Sequence, residues 1–314
     1  MTQIVIAEFM DEAAVASLQR RFSTTYDALL GERREALLAA LRGADALIVR
    51  NKTKVDAEVL TAATRLRVVG RLGVGLDNID LAACAARGIQ VIPATGANTL
   101  AVAEYVIGTA LALLRGAYFS TAAVAAGKWP RAALGMGREL HGKTLGVVGF
   151  GSVGRATARL GRAVGLSVIG FDAHIPLIEA VWAEEHTTPR RFDELLSEAD
   201  VVSLHVPLTP ATHGLIDAEK LSRMKREAIL INTARGGVLD EAALAAALRT
   251  GRLGGAAVDV FETEPLPAAS PLAGCPNLIL TPHIAGVTRE SNVQVSALVA
   301  DKVAAALDAA PSAA

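Results

Sequence analysis

Short apolar runs alternate with stretches of helical spacing along most of the chain. The runs predict strands near residues 3–8, 46–50, 66–69, 89–92, 145–148, 166–171, 201–205, 228–231, 256–260 and 278–280. The helical spacing predicts helices near residues 12–20, 32–41, 56–63, 98–116, 155–164, 192–197, 241–249 and 289–308. A further helix ends at Gly88, and either Asn78 or Asp80 could cap its start. Strands that alternate with helices indicate doubly wound parallel sheets, because a crossover between parallel strands has room for a helix.

One of these strands ends in a glycine-rich turn that is typical of dinucleotide-binding folds. Gly149, Gly151 and Gly154 follow the run Leu145–Val148 in the spacing G-x-G-x-x-G, and a helix comes next. Such glycines allow a tight turn and a close approach of pyrophosphate, whose charge suits a helix N-terminus. The following strand ends at Asp172, 18 residues beyond Gly154, where a carboxylate binds the ribose hydroxyls of NAD. The glycines alone would equally fit a plain turn, but the whole order predicts NAD binding.

Three side chains with complementary chemistry follow the last three predicted strands. They are Arg235, Glu264 and His283, and the carboxyl ends of parallel strands meet at one edge of a sheet. An arginine can hold a carboxylate by two parallel hydrogen bonds, and an imidazole can accept a hydroxyl proton beside an orienting carboxylate. Each residue alone also fits an ordinary structural role, so spacing leaves the choice open.

Composition and charge exclude several other classes of protein. The chain has 314 residues, enough for two domains, and a net charge of −1 without long runs of one sign, so we expect no nucleic-acid or membrane partner. Cys84 and Cys275 are far apart and the six histidines are scattered, so we expect no metal site or disulfide framework and a cytoplasmic location. The N-terminus lacks the pattern of a signal peptide, and the apolar run Leu100–Leu114 is too short to span a bilayer.

Seven segments of the sequence resemble the D-isomer-specific 2-hydroxyacid dehydrogenase family, which includes phosphoglycerate dehydrogenase. They are GRLGVGLDNID (70–80), NTLAVAEYVIG (98–108), ELHGKTLGVVGFGSVGR (139–155), SLHVPLTPATHGLI (203–216), INTARGGVLDEAALAAAL (231–248), AAVDVFETEPLP (256–267) and TPHIAGVTRE (281–290). The resemblance covers nearly the whole chain. The long form of phosphoglycerate dehydrogenase has a C-terminal regulatory domain, which we do not expect here.

The resemblance implies a role for each site residue. Arg235 would bind the substrate carboxylate, Glu264 would orient the catalytic imidazole, and His283 would be the general acid–base. Formate dehydrogenases of the family have Gln at the position of Glu264, so that branch is disfavoured. The NAD contacts would be Gly149, Gly151, Ser152, Val153, Gly154, Asp172, His205, Pro207, Thr233, Ala234, Asp259, His283 and Gly286, with Asp259 on the nicotinamide amide. The substrate contacts would be Lys52, Gly73, Val74, Gly75 and Arg235.

The resemblance also implies the layout of the fold. We expect an α/β protein with two doubly wound parallel-sheet domains, in which a larger Rossmann-type NAD-binding domain (98–287) is inserted into a substrate-binding domain (1–97 and 288–314). The helix at 98–116 is so apolar that it must be covered on most sides, and it would lie at the hinge and in a homodimer interface.

Positive charges on and near one loop narrow the choice of substrate. Arg50, Lys52 and Lys54 follow a predicted strand, and Arg71 precedes the glycine segment. The resemblance implies a small D-configured 2-hydroxy acid, and these cations favour one with a second anionic group, such as the sulfolactate or 3-phosphoglycerate used by members of the family, although they equally fit a solvated surface. In (S)-sulfolactate the groups have the spatial arrangement of D-lactate, because sulfur reverses the naming priority. The alternatives are a hydroxypyruvate or glyoxylate reductase and a non-catalytic NADH-sensing module.

Overall fold

The computed structural model describes residues 2–309, which form two compact units that each contain one parallel sheet. The first unit holds the residues up to Asn98 and those from Val287 onward, and the second unit is Thr99–Gly286. The sequence predicts boundaries one residue away, at 97/98 and 287/288. Met1 and residues 310–314 of the predicted substrate domain lie outside the described residues. The roles given to the two units stay predictions.

The first part of the chain alternates short strands and helices. The strands are β1 Gln3–Ile6, β2 Ser23–Tyr26, β3 Ala46–Val49, β4 Val68–Arg71 and β5 Gln90–Pro93. The helices are α1 Glu12–Gln19, α2 Arg34–Ala40, α3 Ala57–Ala62 and α4 Leu81–Ala86, with a 3-10 helix at Leu30–Glu32. Asp11, Asp56 and Asp80 cap α1, α3 and α4 by accepting a backbone N–H group, so Asp80 rather than Asn78 starts the helix there.

The second unit repeats this alternation on a larger scale. Its helices are α5 Thr99–Arg115, α6 Thr121–Ala125, α7 Arg131–Leu134, α8 Ser152–Ala163, α9 Ala180–Glu184, α10 Phe192–Glu198, α11 Ala218–Arg223 and α12 Glu241–Arg249, with a 3-10 helix at Ala117–Ser120. Its strands are β6 Thr144–Val148, β7 Ser167–Phe171, β8 Thr188–Pro189, β9 Val201–Leu204, β10 Ile229–Asn232, β11 Gly255–Val258 and β12 Leu278–Leu280. The last helix, α13 Arg289–Ala309, returns to the first unit.

The first sheet has the order β2-β1-β3-β4-β5, and helices cover both of its faces. Alternate strand residues face opposite sides: Ile4 and Ile48 pack with α1 and α13, whereas Val5 and Leu47 pack with α2, α3 and α4. Helix α13 lies directly against β4, because a Cβ atom on Gly70 would come within 2.8 Å of side-chain carbons of α13. The strand order reverses between β1 and β3, which makes their carboxyl ends the switch point of this sheet.

The second sheet has the order β8-β7-β6-β9-β10-β11-β12, which is the doubly wound order of dinucleotide-binding folds with one strand added. One face packs on α10, α11 and α12, and the other packs on α5 and α8. The order reverses between β6 and β9, so the loops after these strands flank a ligand crevice. The predicted fold class is confirmed.

Two local predictions need correction. Strand β2 was not expected, because its sequence STTY lacks an apolar face and lies at the sheet edge. The helix predicted over residues 32–41 is interrupted at Arg33, because the preceding 3-10 helix is tied to β1 by the Gly31 N–H donating to the Ala7 carbonyl. Helix α5 buries most of its apolar residues within the chain, and Leu100 and Leu111 are exposed, so its predicted place in a homodimer interface stays a prediction.

No single helix among residues 2–309 is both long and apolar enough to cross a membrane. Thr99–Arg115 and Ala117–Ala125 meet that criterion only as a pair, and they are bent by 66°.

Candidate active site

The glycine turn after β6 is fixed by its contact with the end of β9. Gly149 has φ +91°, a backbone angle that residues other than glycine rarely adopt. A Cβ atom at this position would lie 2.7 Å from the carbonyl oxygen of His205, so glycine is also required by space. At the switch point, the backbone of the turn after β6 thus contacts the backbone at the end of β9, and this contact holds the turn in place.

Gly151 meets a different requirement, because it keeps space open. A Cβ atom here would have no heavy atom within 4 Å, and φ −72° is allowed for any residue. Gly151 precedes the 12-residue helix α8 and provides no side-chain cap, so the first N–H groups of the helix remain available to an anion. Ser152, Val153 and Gly154 form this first turn. The geometry therefore fits the pyrophosphate of a dinucleotide.

Asp172 lies at the end of β7, beside this turn, as the spacing predicts. Its Oδ2 accepts the Phe150 N–H at 2.8 Å and its Oδ1 accepts the His174 N–H at 2.9 Å. A carboxylate has about four acceptor sites, so each oxygen can take one more hydrogen bond. The carboxylate is thus held by the glycine turn and can still bind two ribose hydroxyls.

The loop after β9 carries a histidine that stays neutral. The Nε2 atom of His205 lies 2.9 Å from the Oγ of the fully buried Ser203, and burial lowers the pKa of His205 to about 4. Pro207 follows, and its carbonyl accepts the Thr212 hydroxyl at 2.6 Å. This loop is rigid and uncharged at neutral pH, which suits contact with a cofactor rather than proton transfer.

The loop after β10 presents Arg235 and is organised by a buried amide. Asn232 is 1% exposed; its Oδ1 accepts the Ala234 N–H at 3.0 Å and its Nδ2 donates to the Arg235 carbonyl at 3.2 Å. The Nη1 of Arg235 donates to the Ala234 carbonyl at 2.6 Å. The buried Oγ1 of Thr233 has no hydrogen-bond partner among the described residues, which leaves it available to a ligand or a water molecule.

The side chains of His283 and Glu264 are in contact, as their predicted roles require, and the roles themselves stay predictions. Nδ1 of His283 lies 2.8 Å from Oε2 of Glu264, and the two side chains are 44% and 36% exposed. Oε1 of Glu264 accepts the Phe261 N–H at 3.0 Å, which fixes the carboxylate. Glu264 therefore holds the proton of the imidazole on Nδ1 and leaves Nε2 as the acceptor.

Asp259 holds the loop on which His283 lies. The side chain is 2% exposed; Oδ1 accepts the Thr281 hydroxyl at 2.6 Å and the Ile284 N–H at 2.9 Å, and Oδ2 accepts the Ala285 N–H at 2.8 Å. These bonds use three of about four acceptor sites. One site on Oδ2 is left, which is enough for one amide donor of a nicotinamide.

The predicted substrate residues Lys52 and Gly73–Gly75 belong to the first unit, so their relation to Arg235 stays a prediction. The backbone N–H groups of residues 50–53 all donate to the buried carboxylate of Glu8, at 2.8, 3.3, 3.2 and 3.0 Å. Although burial acts to raise the pKa of Glu8, these N–H groups lower it below its usual value. The Nζ of Lys52 lies 2.5 Å from Glu32 and its side chain is 65% exposed.

Several residues of this framework were not predicted from the sequence. Glu8, Asn232 and Thr281 each support a loop that carries a predicted site residue, and Tyr105 lies 2.6 Å from the Thr281 hydroxyl. Because Asn232 and Thr281 are close in sequence to Arg235 and His283, their supporting roles could have been predicted from the sequence. In the part of the chain that the structure describes, no cluster of three or more His, Cys, Asp or Glu side chains could hold a metal ion.

Comparison with known proteins decides the family. Residues 107–285 match the model described as "D-isomer specific 2-hydroxyacid dehydrogenase, NAD binding domain". The chain belongs to this family. The enzyme class that follows is an NAD-dependent 2-hydroxyacid dehydrogenase, and the open space at Gly151 and the orphaned Thr233 hydroxyl fit its cofactor.

The relatives of this dehydrogenase include enzymes for anionic substrates. The (S)-sulfolactate dehydrogenase of Chromohalobacter salexigens is 54% identical over 98% of this chain and 99% of its own length. The D-3-phosphoglycerate dehydrogenase of Archaeoglobus fulgidus is 40% identical over 96% of this chain, which spans only 56% of that relative. A glyoxylate reductase structure from Paecilomyes thermophila has a TM-score of 0.87 and 29% identity, covering 98% of this chain and 96% of that one.

The different demands on the two turn glycines predict different losses. Gly149→Ala combines a strained φ with a backbone clash and should lower the free energy of unfolding by about 2–4 kcal/mol. Gly151→Ala should change that free energy by less than about 1 kcal/mol, because its methyl group meets open space. Gly151→Ala should nevertheless weaken NADH binding at least about 10-fold, since the methyl group enters the pyrophosphate space.

Denaturant titration and NADH fluorescence measure the two effects separately. A Gly151→Ala protein that binds NADH as tightly as the wild type would contradict the placement of the pyrophosphate.

Proposed function

We propose that this dehydrogenase interconverts a small D-configured 2-hydroxy acid bearing a second anionic group with the corresponding 2-oxo acid. The observation that carries the proposal is the 2.8 Å pair of His283 and Glu264, which follow β12 and β11. Arg235 follows the adjacent strand β10 at the same edge of the sheet. The 54% identity to a relative named (S)-sulfolactate dehydrogenase supports sulfolactate as the substrate. The phosphoglycerate dehydrogenases support the same class of dianion.

The chemistry divides between a hydride and a proton. NAD, which the glycine turn at Gly149–Gly154 and the Asp172 carboxylate would hold, would supply the acceptor for the hydride that leaves C2. Nε2 of His283 accepts the proton of the C2 hydroxyl as the C2–O bond becomes a carbonyl. Glu264 stabilises the imidazolium so formed. Arg235 binds the substrate carboxylate by parallel hydrogen bonds, which orients C2. In the reverse direction the imidazolium returns its proton to the carbonyl oxygen.

Removing the imidazole tests this assignment. His283→Asn should lower kcat by about 10²–10⁴-fold, because proton transfer is lost. The affinity for NADH should stay near that of the wild type, because the glycine turn and Asp172, where the pyrophosphate and the ribose would bind, are unchanged. Glu264→Gln should lower kcat less than His283→Asn does. It should also move the pH profile of 2-oxo acid reduction to lower pH, since the imidazolium loses its carboxylate partner. A His283→Asn enzyme with wild-type kcat would refute the role of the histidine.

The first sheet supports the proposed second anionic group. Arg50 and Lys52 follow β3, at the switch point where ligands of doubly wound sheets bind. Arg50 is half-buried, its Nη2 donates to Asn292 at 2.7 Å, and burial lowers the pKa of Arg50. A guanidinium removed from water gains more from an anion than an exposed one. We propose that Arg50, Lys52 and Arg71 favour a sulfonate or phosphate, and that residues 73–75 donate N–H groups to the carboxylate.

A substrate comparison tests this preference. Lys52→Glu should raise KM at least about 10-fold for the dianionic substrate and much less for lactate, because only the dianion meets the reversed charge. Lys54→Glu is the matched control, since it makes the same charge change two residues further along the loop. The assay is NADH oxidation with sulfopyruvate, 3-phosphohydroxypyruvate, hydroxypyruvate, glyoxylate and pyruvate.

The outcomes of this screen separate the candidate substrates. A wild-type enzyme that prefers glyoxylate or hydroxypyruvate would favour the reductase function instead. NADH binding without turnover of any 2-oxo acid would favour a sensing module. Equal effects of Lys52→Glu and Lys54→Glu on every substrate would leave this loop as a solvated surface.

We also propose that NAD is preferred over NADP. Asp172 would accept the ribose hydroxyls and repel a 2′-phosphate, and the following residues, Ala173 and His174, include no arginine. Asp172→Ala should therefore narrow the ratio of kcat/KM values for NADH and NADPH by about 10-fold or more, mainly through weaker NADH binding. A wild-type preference for NADPH would show that another residue selects the cofactor.

We propose a cytoplasmic homodimer as the working form. Support comes from apolar side chains near α5 that the single chain leaves exposed, among them Tyr118 (67%), Trp129 (77%) and Met136 (84%). Cys84 and Cys275 are both free thiols, which is in keeping with a reducing compartment.

A further inference from the structure

The backbone of His283 adopts an unfavourable conformation. Its φ is +55°, in the left-handed region that residues with a Cβ atom rarely occupy. Such a conformation persists only where the surrounding structure holds it. The residue that we propose to be the general acid–base is therefore kept in place by specific contacts.

Those contacts converge on Asp259. The N–H of His283 donates to the Asp259 carbonyl at 2.8 Å, and the next two N–H groups, of Ile284 and Ala285, donate to its two carboxylate oxygens at 2.9 and 2.8 Å. Consecutive N–H groups around a left-handed residue form a concave anion site, and here the protein's own carboxylate fills it. The position of the histidine thus depends on the orientation of the Asp259 side chain.

Two hydroxyl groups set that orientation. The Thr281 Oγ1 donates its only proton to Asp259 Oδ1 at 2.6 Å, so the Tyr105 hydroxyl, 2.6 Å from Thr281 Oγ1, must be the donor in that contact. Burial raises the pKa of Tyr105, so its hydroxyl keeps the proton at neutral pH. The hydrogen bonds run in one direction from Tyr105 through Thr281 to the carboxylate, and each polarises the next.

Glu264 is fixed by a separate contact. Its Oε1 accepts the Phe261 N–H at 3.0 Å, and neither Thr281 nor Tyr105 takes part. The pair of His283 and Glu264 therefore has two independent supports. Loss of the support at Thr281 moves the imidazole and leaves the carboxylate in place.

We propose that Thr281 and Tyr105 are positioning residues for proton transfer, which they support by aligning Asp259 and, through it, the loop that carries His283. This inference rests on the proposed function. Thr281 acts directly on Asp259, whereas Tyr105 acts only through the Thr281 hydroxyl.

Thr281→Val should lower kcat about 10–100-fold, because a small misplacement of a catalytic group costs this much. Thr281→Ser retains the hydroxyl and should restore kcat to within about threefold of the wild type. The pH profile of 2-oxo acid reduction should move to lower pH in Thr281→Val, because the imidazolium lies farther from Glu264, and it should return in Thr281→Ser. Thr187→Val is the control, since it removes another buried hydroxyl of this unit, one that donates to the Glu185 carbonyl. It should leave kcat and the pH profile unchanged.

A double-mutant cycle tests the order of action. Tyr105→Phe alone should lower kcat by a few-fold, and it should have no further effect in the Thr281→Val background, because the hydroxyl through which it acts is gone. If the double variant loses kcat by the product of the two single losses, Tyr105 acts independently of Thr281. That result would overturn the relay of hydrogen bonds from Tyr105 through Thr281 to Asp259. A Thr281→Val enzyme with a lower Tm but unchanged kcat and pH profile would overturn the positioning role. If Thr281→Val does not fold, a kcat and pH profile of Tyr105→Phe identical to the wild type would overturn the relay.

The same assay separates this inference from the proposed function. Loss of activity in His283→Asn with wild-type kcat in Thr281→Val refutes only the inference. Full activity in His283→Asn, or a wild-type enzyme that turns over no 2-oxo acid, refutes the proposed function, and the inference falls with it.

Discussion

Removing a carboxylate from water is costly unless hydrogen bonds replace the lost hydration, and Asp259 is 2% exposed. Its oxygens accept three hydrogen bonds from the segment 281–285, and that segment contains His283. Any conformation that moves the loop away leaves a buried charge without partners. The energetic requirement of one carboxylate thus fixes the place where we propose that proton transfer occurs. The same requirement explains why the left-handed backbone conformation of His283 is tolerated.

Two more carboxylates hold loops in the same way. Asp172 ties the end of β7 to the glycine turn through the Phe150 N–H. Glu8 gathers the N–H groups of residues 50–53 at the switch point of the first sheet. In each case an anion at a strand end binds backbone N–H groups, so hydrogen bonds to the main chain help to shape the loop. The surfaces left for ligands are therefore polar and pre-formed, which lowers the cost of ordering them on binding.

The order of the strands and the NAD turn could be predicted because their signals are local. Apolar runs, the spacing of Gly149, Gly151 and Gly154, and the place of Asp172 all lie within short windows of sequence. Arg235, Glu264 and His283 could be grouped because parallel strands end at one edge of a sheet. Glu8 and Arg50 are 42 residues apart, and Tyr105 and Thr281 are 176 apart. No local pattern records such pairs, so Glu8 and Tyr105 were found only in the structure. The edge strand β2 was missed because it has no apolar face.

Our central claim is that Nε2 of His283 exchanges a proton with the C2 oxygen of a small dianionic 2-hydroxy acid. The most direct measurement is a crystal structure of the unreactive complex with NADH and (S)-sulfolactate. We predict a distance of about 3 Å between Nε2 of His283 and the C2 hydroxyl oxygen, with the contact to Glu264 retained and the Arg235 guanidinium on the carboxylate. A C2 hydroxyl that is hydrogen-bonded to another side chain, with His283 beyond reach, would contradict the account.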